Sequence, residues 1–239
     1  TWSFVRHYLT EWDEILVPDF PGMGASNWHN SIQEFDVDAL VESCVALIEY
    51  FGWKQFDIVG YSMGGLVAMH FVALNPIVCT KLYLIEPAAL LSDKPSILVE
   101  RGETYLKLSQ RILAHANDPE SYVDFLNHVS PLRKKNSKTD TVALERLQQN
   151  SQGLAMGLQC VGLALIKYAD WYANWTAPVP GLSIVGGLSH QSMHNRHQLL
   201  CDGSAEWFYH SLSNADHSLV YSKPRQVAGL LNTAFNKPF

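Results

Sequence analysis

Short apolar runs alternate with segments of helical periodicity over the first part of the chain. Apolar side chains recur at helical spacing in residues 36–51, and Gly52 follows directly, as is typical of a helix end. Residues 56–60 form an apolar run, residues 63–74 a second helical segment and residues 81–85 a further run. Strands that alternate with helices in this way predict a parallel sheet with both faces covered.

The same patterns predict two elements before residue 36. Residues 1–10 place Trp2, Val5 and Leu9 on one helical face. Residues 14–19 form a short apolar run, which predicts a strand.

The pattern changes between residues 91 and 177, where strand patterns are absent. Four successive helices are predicted there, over residues 97–116, 119–129, 141–149 and 154–168. The remaining chain predicts two last strands and a closing helix, over residues 182–185, 206–211 and 224–235.

The segment from Asp57 to Ala68 carries the most specific chemical signal. It contains Gly-x-Ser-x-Gly centred on Ser62, between a predicted strand and a predicted helix, which is the context of a nucleophile elbow. Such a turn strains the backbone of Ser62 and exposes its hydroxyl. We expect Gly60 and Gly64 to leave room where a Cβ would crowd the neighbouring strand and helix. The backbone N–H of Met63 would point to a developing oxyanion.

A serine hydroxyl needs a base to take its proton, and that base is usually histidine. His217 lies in a short loop after the last predicted strand and is the candidate. Asp216 is adjacent in sequence and is therefore badly placed to orient the imidazole ring of His217.

Three motifs together resemble the α/β-hydrolase fold superfamily, most closely its monomeric esterases and lipases. They are Asp19-Phe20-Pro21-Gly22-Met23-Gly24-Ala25-Ser26, Gly60-Tyr61-Ser62-Met63-Gly64-Gly65 and Asn214-Ala215-Asp216-His217-Ser218. The resemblance implies an α/β core over residues 1–90 and 178–239, with a mostly parallel sheet flanked by helices. It also implies a helical cap over residues 91–177, Ser62 as nucleophile, His217 as base and no cofactor.

The acid of the triad is absent from the place where the resemblance expects it. Most members have Asp in a G-x-x-D stretch after the second-last strand, and here residues 186–192 contain no carboxylate. Glu86 ends the strand after the elbow helix, where some members of the fold carry their acid. Asp202 is a second alternative, and a Ser–His pair without a carboxylate is a third. Our prediction is Glu86.

The resemblance also places the first strands of the fold, and a His-Gly segment, upstream of Thr1. That segment supplies a second oxyanion N–H in the family. We therefore expect the chain to be a fragment or a processed form, and a poor catalyst as it stands.

Composition narrows the range of partners. The net charge is -6 and no basic block dominates, which argues against nucleic acid. No apolar run approaches the length of a bilayer span. We predict a cytoplasmic protein whose partner is a small-molecule ester. Cys44 and Cys160 lie on apolar helical faces and are predicted to be buried thiols.

Two further clusters have competing interpretations. His190, His194 and His197 lack the spacing of a zinc set and are predicted to lie in a polar, exposed loop, with no metal. The aromatic residues near the end of the expected cap would either line an acyl pocket or pack the cap on the core. They are Trp171, Tyr172 and Trp175.

The sequence thus predicts a serine hydrolase that cleaves a small or medium apolar carboxylic ester through an acyl-enzyme on Ser62. Carbon–carbon bond hydrolases and acyltransferases share the Ser–His layout and are alternatives. A non-catalytic member that binds a small molecule or a partner protein is an alternative from another class. The absent acid in residues 186–192 supports that alternative, whereas the intact elbow and His217 oppose it.

Overall fold

The computed structural model describes residues 2–27, 35–133, 135 and 138–235. Within these residues the sheet has four strands, all parallel, in the spatial order β1-β2-β3-β4. The strands are β1 (Phe56–Tyr61), β2 (Cys79–Ile85), β3 (Gly181–Gly186) and β4 (Trp207–Leu212). The predicted parallel sheet flanked by helices is confirmed.

The helices form three groups along the chain. The first group is α1 (Ser3–Arg6), α2 (Val37–Phe51) and α3 (Met63–Leu74). The second group lies between β2 and β3 and comprises α4 (Pro95–Ala114), α5 (Pro119–Val129), α6 (Lys138–Gln149), α7 (Ser151–Lys167) and α8 (Ala169–Ala173). The third group is α9 (Gln191–Asp202), α10 (Leu219–Ser222) and α11 (Pro224–Phe235).

The core lies on both faces of the sheet, and β2 shows this most directly. Leu82 and Leu84 point to a cluster that includes α2, α3 and the helices between β2 and β3. Tyr83 and Ile85 point to the opposite cluster, with α10 and α11. Because successive side chains of a strand face opposite ways, this run of apolar residues is typical of a strand buried on both sides.

The carboxyl ends of the strands lie level with one another. Tyr61 at the end of β1 pairs with Ile85 at the end of β2, and Ile85 pairs with Ile184 of β3. Gly186 at the end of β3 pairs with Leu212 at the end of β4. The residues that follow these four strands therefore gather along one edge of the sheet.

The two elements predicted near the start of the chain differ from the structure. Residues 14–19 form no strand, because a strand needs a paired neighbour and β1 pairs with β2 alone among the described residues. Ile15 and Val17 are accordingly 37% and 40% exposed. Helix α1 is much shorter than the predicted residues 1–10, although Val5 is fully buried as expected.

The prediction of an exposed loop around the three histidines was wrong. His194 and His197 lie in α9, and His190 caps its first turn by accepting a hydrogen bond from the N–H of Ser192. The buried face of α9 repeats at helical spacing through Met193, Arg196, His197 and Leu200. Two of these four side chains are polar, so the hydrophobicity pattern of the sequence does not reveal the buried face of the helix.

Among the described residues, no helix combines the length and the apolar character that crossing a membrane requires.

Candidate active site

Ser62 lies between β1 and α3 with φ 53° and ψ -121°, a conformation that non-glycine residues rarely adopt. The turn can form only because its neighbours are small. A Cβ on Gly60 would lie 2.6 Å from the Gly64 carbonyl oxygen, and one on Gly65 would lie 2.8 Å from the Cβ of Pro87. The strained turn projects the Ser62 side chain from the sheet edge, as the elbow motif predicts.

The expected crowding at Gly64 is not found. A Cβ added there would meet no atom within 4 Å. The close approach of strand and helix falls instead on Gly60 and Gly65, because Gly65 is the residue of α3 that packs against the chain after β2.

His217 lies in the loop after β4, with its side chain beside the elbow. Its Nε2 is 3.1 Å from the Ser62 hydroxyl oxygen. The residue before Ser62 holds this loop: the Tyr61 hydroxyl donates a 2.7 Å hydrogen bond to the backbone carbonyl of His217. The Tyr61 and His217 rings also lie 5.2 Å apart at 31°. Burial raises the pKa of Tyr61 well above its usual range, so the phenol stays a donor.

Glu86 follows β2 and contacts the other nitrogen of the same ring. Its Oε2 is 3.2 Å from His217 Nδ1, and the side chain is almost fully buried. Like Ser62, Glu86 has a positive φ, of 46°. With Nδ1–H donating to Glu86, Nε2 is free to accept the Ser62 proton, so the row Ser62–His217–Glu86 has the hydrogen-bond pattern that serine activation requires.

The other candidate acids lie elsewhere. Asp202 is exposed at the end of α9 and accepts a 2.7 Å hydrogen bond from Gln198. Asp216 accepts hydrogen bonds from the backbone N–H and the hydroxyl of Ser218. Of the carboxylates weighed from the sequence, Glu86 is the one that the structure places on His217.

The backbone N–H of Met63 is at the first position of α3. Helix amides in the first turn have no intrahelical acceptor, and they lie at the positive end of the helix dipole. The N–H of Met63 is therefore in the place predicted for an oxyanion donor.

A cavity of about 1730 Å³ opens at this site. Ser62, Met63 and His217 line it on the side of the sheet. Helix α7 lies opposite, where a Cβ added to Gly157 would be 3.3 Å from the Met63 sulfur. The lining also includes apolar side chains, among them Met23, Phe125, Leu154, Leu158 and Leu188.

The aromatic residues around α8 pack rather than line this cavity. Tyr172 and Trp175 are buried, and Trp175 contacts Trp207 edge to face at 5.8 Å. Tyr172 and Trp171 surround His70 of α3, whose Nε2 is 2.6 Å from the Tyr172 hydroxyl. Burial lowers the pKa of His70 to about 4, so the imidazole is neutral and accepts from the phenol.

The three histidines of the α9 region have separate partners. His190 contacts Ser192, His194 contacts Tyr209, and His197 contacts Ser183 in the core. In the described part of the chain, no group of three or more His, Cys, Asp or Glu side chains has the arrangement of a metal site.

Two contacts at the site were not foreseen from the sequence. They are the hydroxyl of Tyr61 on the backbone of His217 and the hydroxyl of Ser189 on Glu86. Nothing in the sequence pattern indicates the first. The second had one signal, because Ser189 is the fourth residue of the stretch in which the family usually has Asp.

The chain is similar in sequence to known proteins over part of its length. Lipase LipV of Mycobacterium tuberculosis is 37% identical over 90 residues, which are 38% of this chain and 33% of that protein. A serine hydrolase-like protein of Danio rerio is 29% identical over 138 residues, 58% of this chain and 38% of its own. The matched stretch thus spans about a third of the lipase and little more than a third of the serine hydrolase-like protein.

The fold is shared with solved structures. A thermophilic esterase from Thermogutta terrifontis superposes with a TM-score of 0.70 at 18% identity, covering 98% of this chain and 84% of the esterase. The sequence model of the alpha/beta hydrolase fold family matches residues 11–150, which is more than half of the chain. The chain belongs to the alpha/beta hydrolase fold family.

Proposed function

We propose that this protein is a serine hydrolase that cleaves carboxylic esters through an acyl-enzyme on Ser62. The observation that carries the proposal is the continuous row of contacts from the Ser62 hydroxyl to His217 Nε2 and from His217 Nδ1 to Glu86, at 3.1 and 3.2 Å. The names of the relatives, a lipase and a serine hydrolase-like protein, support the same chemistry.

In the first half-reaction, the Ser62 oxygen attacks the ester carbonyl carbon while His217 Nε2 takes the hydroxyl proton. The carbonyl oxygen becomes an oxyanion, which the Met63 N–H stabilises. The tetrahedral intermediate collapses when the bond to the alcohol oxygen breaks, and His217 returns its proton to that oxygen. The alcohol leaves, and the acyl group remains on Ser62.

In the second half-reaction, water replaces the alcohol. His217 takes a proton from water as its oxygen attacks the acyl carbon, and the same oxyanion site is used again. Ser62 leaves with the proton from His217, which releases the carboxylic acid. Glu86 holds the imidazole with Nδ1–H towards it and stabilises the imidazolium that forms in each half.

The cavity supports a substrate class. Its apolar lining near Ser62 suits an acyl chain without charge, and this supports a small or medium apolar ester. We infer that residues 91–177 act as the cap of the site, because α7 approaches the elbow across the cavity. A cytoplasmic location stays a prediction from the sequence.

The non-catalytic hypothesis drew its support from the absent acid in residues 186–192. Glu86 beside His217 weakens that support, because the carboxylate is supplied from β2 instead. Carbon–carbon bond hydrolysis and acyl transfer to another acceptor use the same three side chains and are separated from ester hydrolysis by assay.

The deciding experiment pairs a fluorophosphonate probe with p-nitrophenyl esters of increasing acyl length. We expect covalent labelling of Ser62, located by mass spectrometry, and turnover of the shorter esters. Ser192→Ala is the matched control, because Ser192 is a half-buried serine of α9 whose hydroxyl contacts His190. Folded protein that neither labels nor turns over ester would favour ligand binding without catalysis, whereas labelling without ester turnover would favour a different acyl-transfer reaction.

A further inference from the structure

Ser189 meets the carboxylate of Glu86 from the neighbouring strand. Its backbone N–H donates to the Gly186 carbonyl at 2.9 Å, which closes a turn directly after β3. The turn brings the Ser189 hydroxyl to within 2.6 Å of Glu86 Oε1, and both residues are buried. Ser189 touches Glu86 on the side away from His217.

A second donor reaches the same carboxylate oxygen. The backbone N–H of Gly186 lies 2.6 Å from Glu86 Oε1. Gly186 also lets the loop before His217 come close, because a Cβ there would lie 2.6 Å from the Ala215 carbonyl oxygen. The end of β3 therefore contacts both the acid and the loop that carries the base.

The two oxygens of the Glu86 carboxylate therefore have different partners. Oε1 accepts from Ser189 and Gly186, whereas Oε2 faces His217 Nδ1 at 3.2 Å. Among the described residues, His217 is the one titratable side chain that pairs with Glu86, and the other donors to this buried carboxylate are the neutral Ser189 hydroxyl and Gly186 N–H. Hydrogen bonds to an ionised group are stronger than neutral ones.

We propose that Ser189 is a positioning residue of this active site, which acts on catalysis through Glu86. The proposal rests on the proposed function. By holding Oε1, the Ser189 hydroxyl fixes the orientation of the carboxylate and aims Oε2 at the imidazole. Ser189 thus occupies the strand end where the family usually has its acid, and there it supports the acid supplied from β2.

The test is a double-mutant cycle on kcat and KM with a p-nitrophenyl ester. Ser189→Ala removes the hydroxyl and should lower kcat by about tenfold to a hundredfold, with KM changed by less than about twofold. In the Glu86→Gln background, where no carboxylate remains to be held, the same change should alter kcat by less than about twofold. A purely structural role would lower kcat equally in both backgrounds.

Two controls separate the possible failures. Ser189→Gly deletes the same hydroxyl without adding volume, and melting temperatures show whether either variant folds. Ser192→Ala, three residues away in sequence and in contact with His190 instead, should keep wild-type kcat. If Glu86→Gln lowers kcat and Ser189→Ala does not, the positioning role is overturned while the proposed function stands. If Glu86→Gln itself is silent, both the acid assignment and the role of Ser189 fail.

Discussion

The hydroxyl of Tyr61 donates a hydrogen bond to the backbone carbonyl of His217 across 156 positions of sequence. Tyr61 ends β1 directly before Ser62, the proposed nucleophile, so the strand that leads to Ser62 also fixes the loop that carries His217. The ring of Tyr61 lies against the imidazole of His217 as well. The Ser62–His217 distance therefore depends on one aromatic side chain at the end of β1.

Removing the Tyr61 hydroxyl should make the loop that carries His217 less well fixed. Tyr61→Phe is expected to cost about 1 kcal/mol of unfolding free energy, because a carbonyl loses its donor. It should also lower kcat several-fold, because the Nε2–Oγ contact is no longer held. Tyr209→Phe is the matched control, since its hydroxyl contacts His194 of α9 instead. Equal kcat in the two variants would show that the Tyr61 hydroxyl does not position His217.

Ser62→Ala should abolish ester turnover without unfolding the protein. Loss of the nucleophile of such a site lowers kcat by about four orders of magnitude or more. The strained φ of 53° at this position is about as unfavourable for alanine as for serine, so the melting temperature should change little. Turnover near the wild-type rate would contradict the assignment of the nucleophile.

Glu86→Gln keeps the shape of the side chain and removes its charge. We expect kcat to fall by about a thousandfold or more, because the imidazolium loses its stabilising partner and the ring its orientation. Asp202→Asn should be nearly silent, since Asp202 contacts Gln198 at the exposed end of α9. The opposite pattern, measured on the same ester, would move the acid to Asp202.

Alanine substitutions of the two glycines in the Gly-x-Ser-x-Gly motif should have different effects on the stability of the fold. Gly60→Ala places a Cβ 2.6 Å from the Gly64 carbonyl and should destabilise the fold by about 3 kcal/mol or more. Gly64→Ala meets nothing within 4 Å and lies in the first turn of α3. It should leave stability unchanged or raise it by about 0.5 kcal/mol, because alanine restricts the unfolded chain. Thermal unfolding of both variants checks the contrast, and equal losses would contradict it.

Stability should fall in mild acid because buried histidines are neutral in the folded state. Burial lowers the pKa of His197 to about 3 and the pKa of His70 to about 4, from an ordinary value of 6.5. Below pH 6.5 the unfolded chain binds protons that the folded chain does not, so unfolding becomes easier as the pH drops towards 4. Each such histidine contributes at most about 1.4 kcal/mol per pH unit in this window.

Urea unfolding between pH 7 and pH 4 measures this dependence. His197→Asn keeps a polar atom near Ser183 and cannot gain the proton, so its stability should depend less steeply on pH than that of the wild type. His190→Asn, at an exposed position, is the control and should retain the wild-type slope. An unchanged slope in His197→Asn would contradict the assignment of a neutral, buried His197.

Much of the fold was predictable because its strands are short apolar runs between helices of clear periodicity. The elbow was predictable because its turn demands glycine at defined places in the sequence. Helix α9 was not predicted because its buried face includes two polar residues, Arg196 and His197. Arg196 donates hydrogen bonds to the backbone carbonyls of Tyr172 and Trp175. A polar residue that is hydrogen-bonded inside the core looks the same in sequence as one that is exposed.

The candidate site was only partly predictable for a related reason. Glu86 could be proposed from its place at a strand end, but its contact with His217 depends on a positive φ that the residue type does not indicate. Residues 14–19 show the converse. Their apolar pattern suits a strand, yet pairing depends on a neighbour, which no local pattern can guarantee.

Ser62 and Glu86 belong to one continuous β-α-β unit, from β1 through α3 to β2, which is complete before the chain enters residues 91–177. Their spacing is set by two adjacent hydrogen-bonded strands and the helix packed on them. Exchanging residues 91–177 for the corresponding segment of another family member would therefore leave nucleophile and acid in register. A chimera of this kind would test whether residues 91–177 alone carry the substrate preference, while the proposed nucleophile and acid stay in the unit that precedes them.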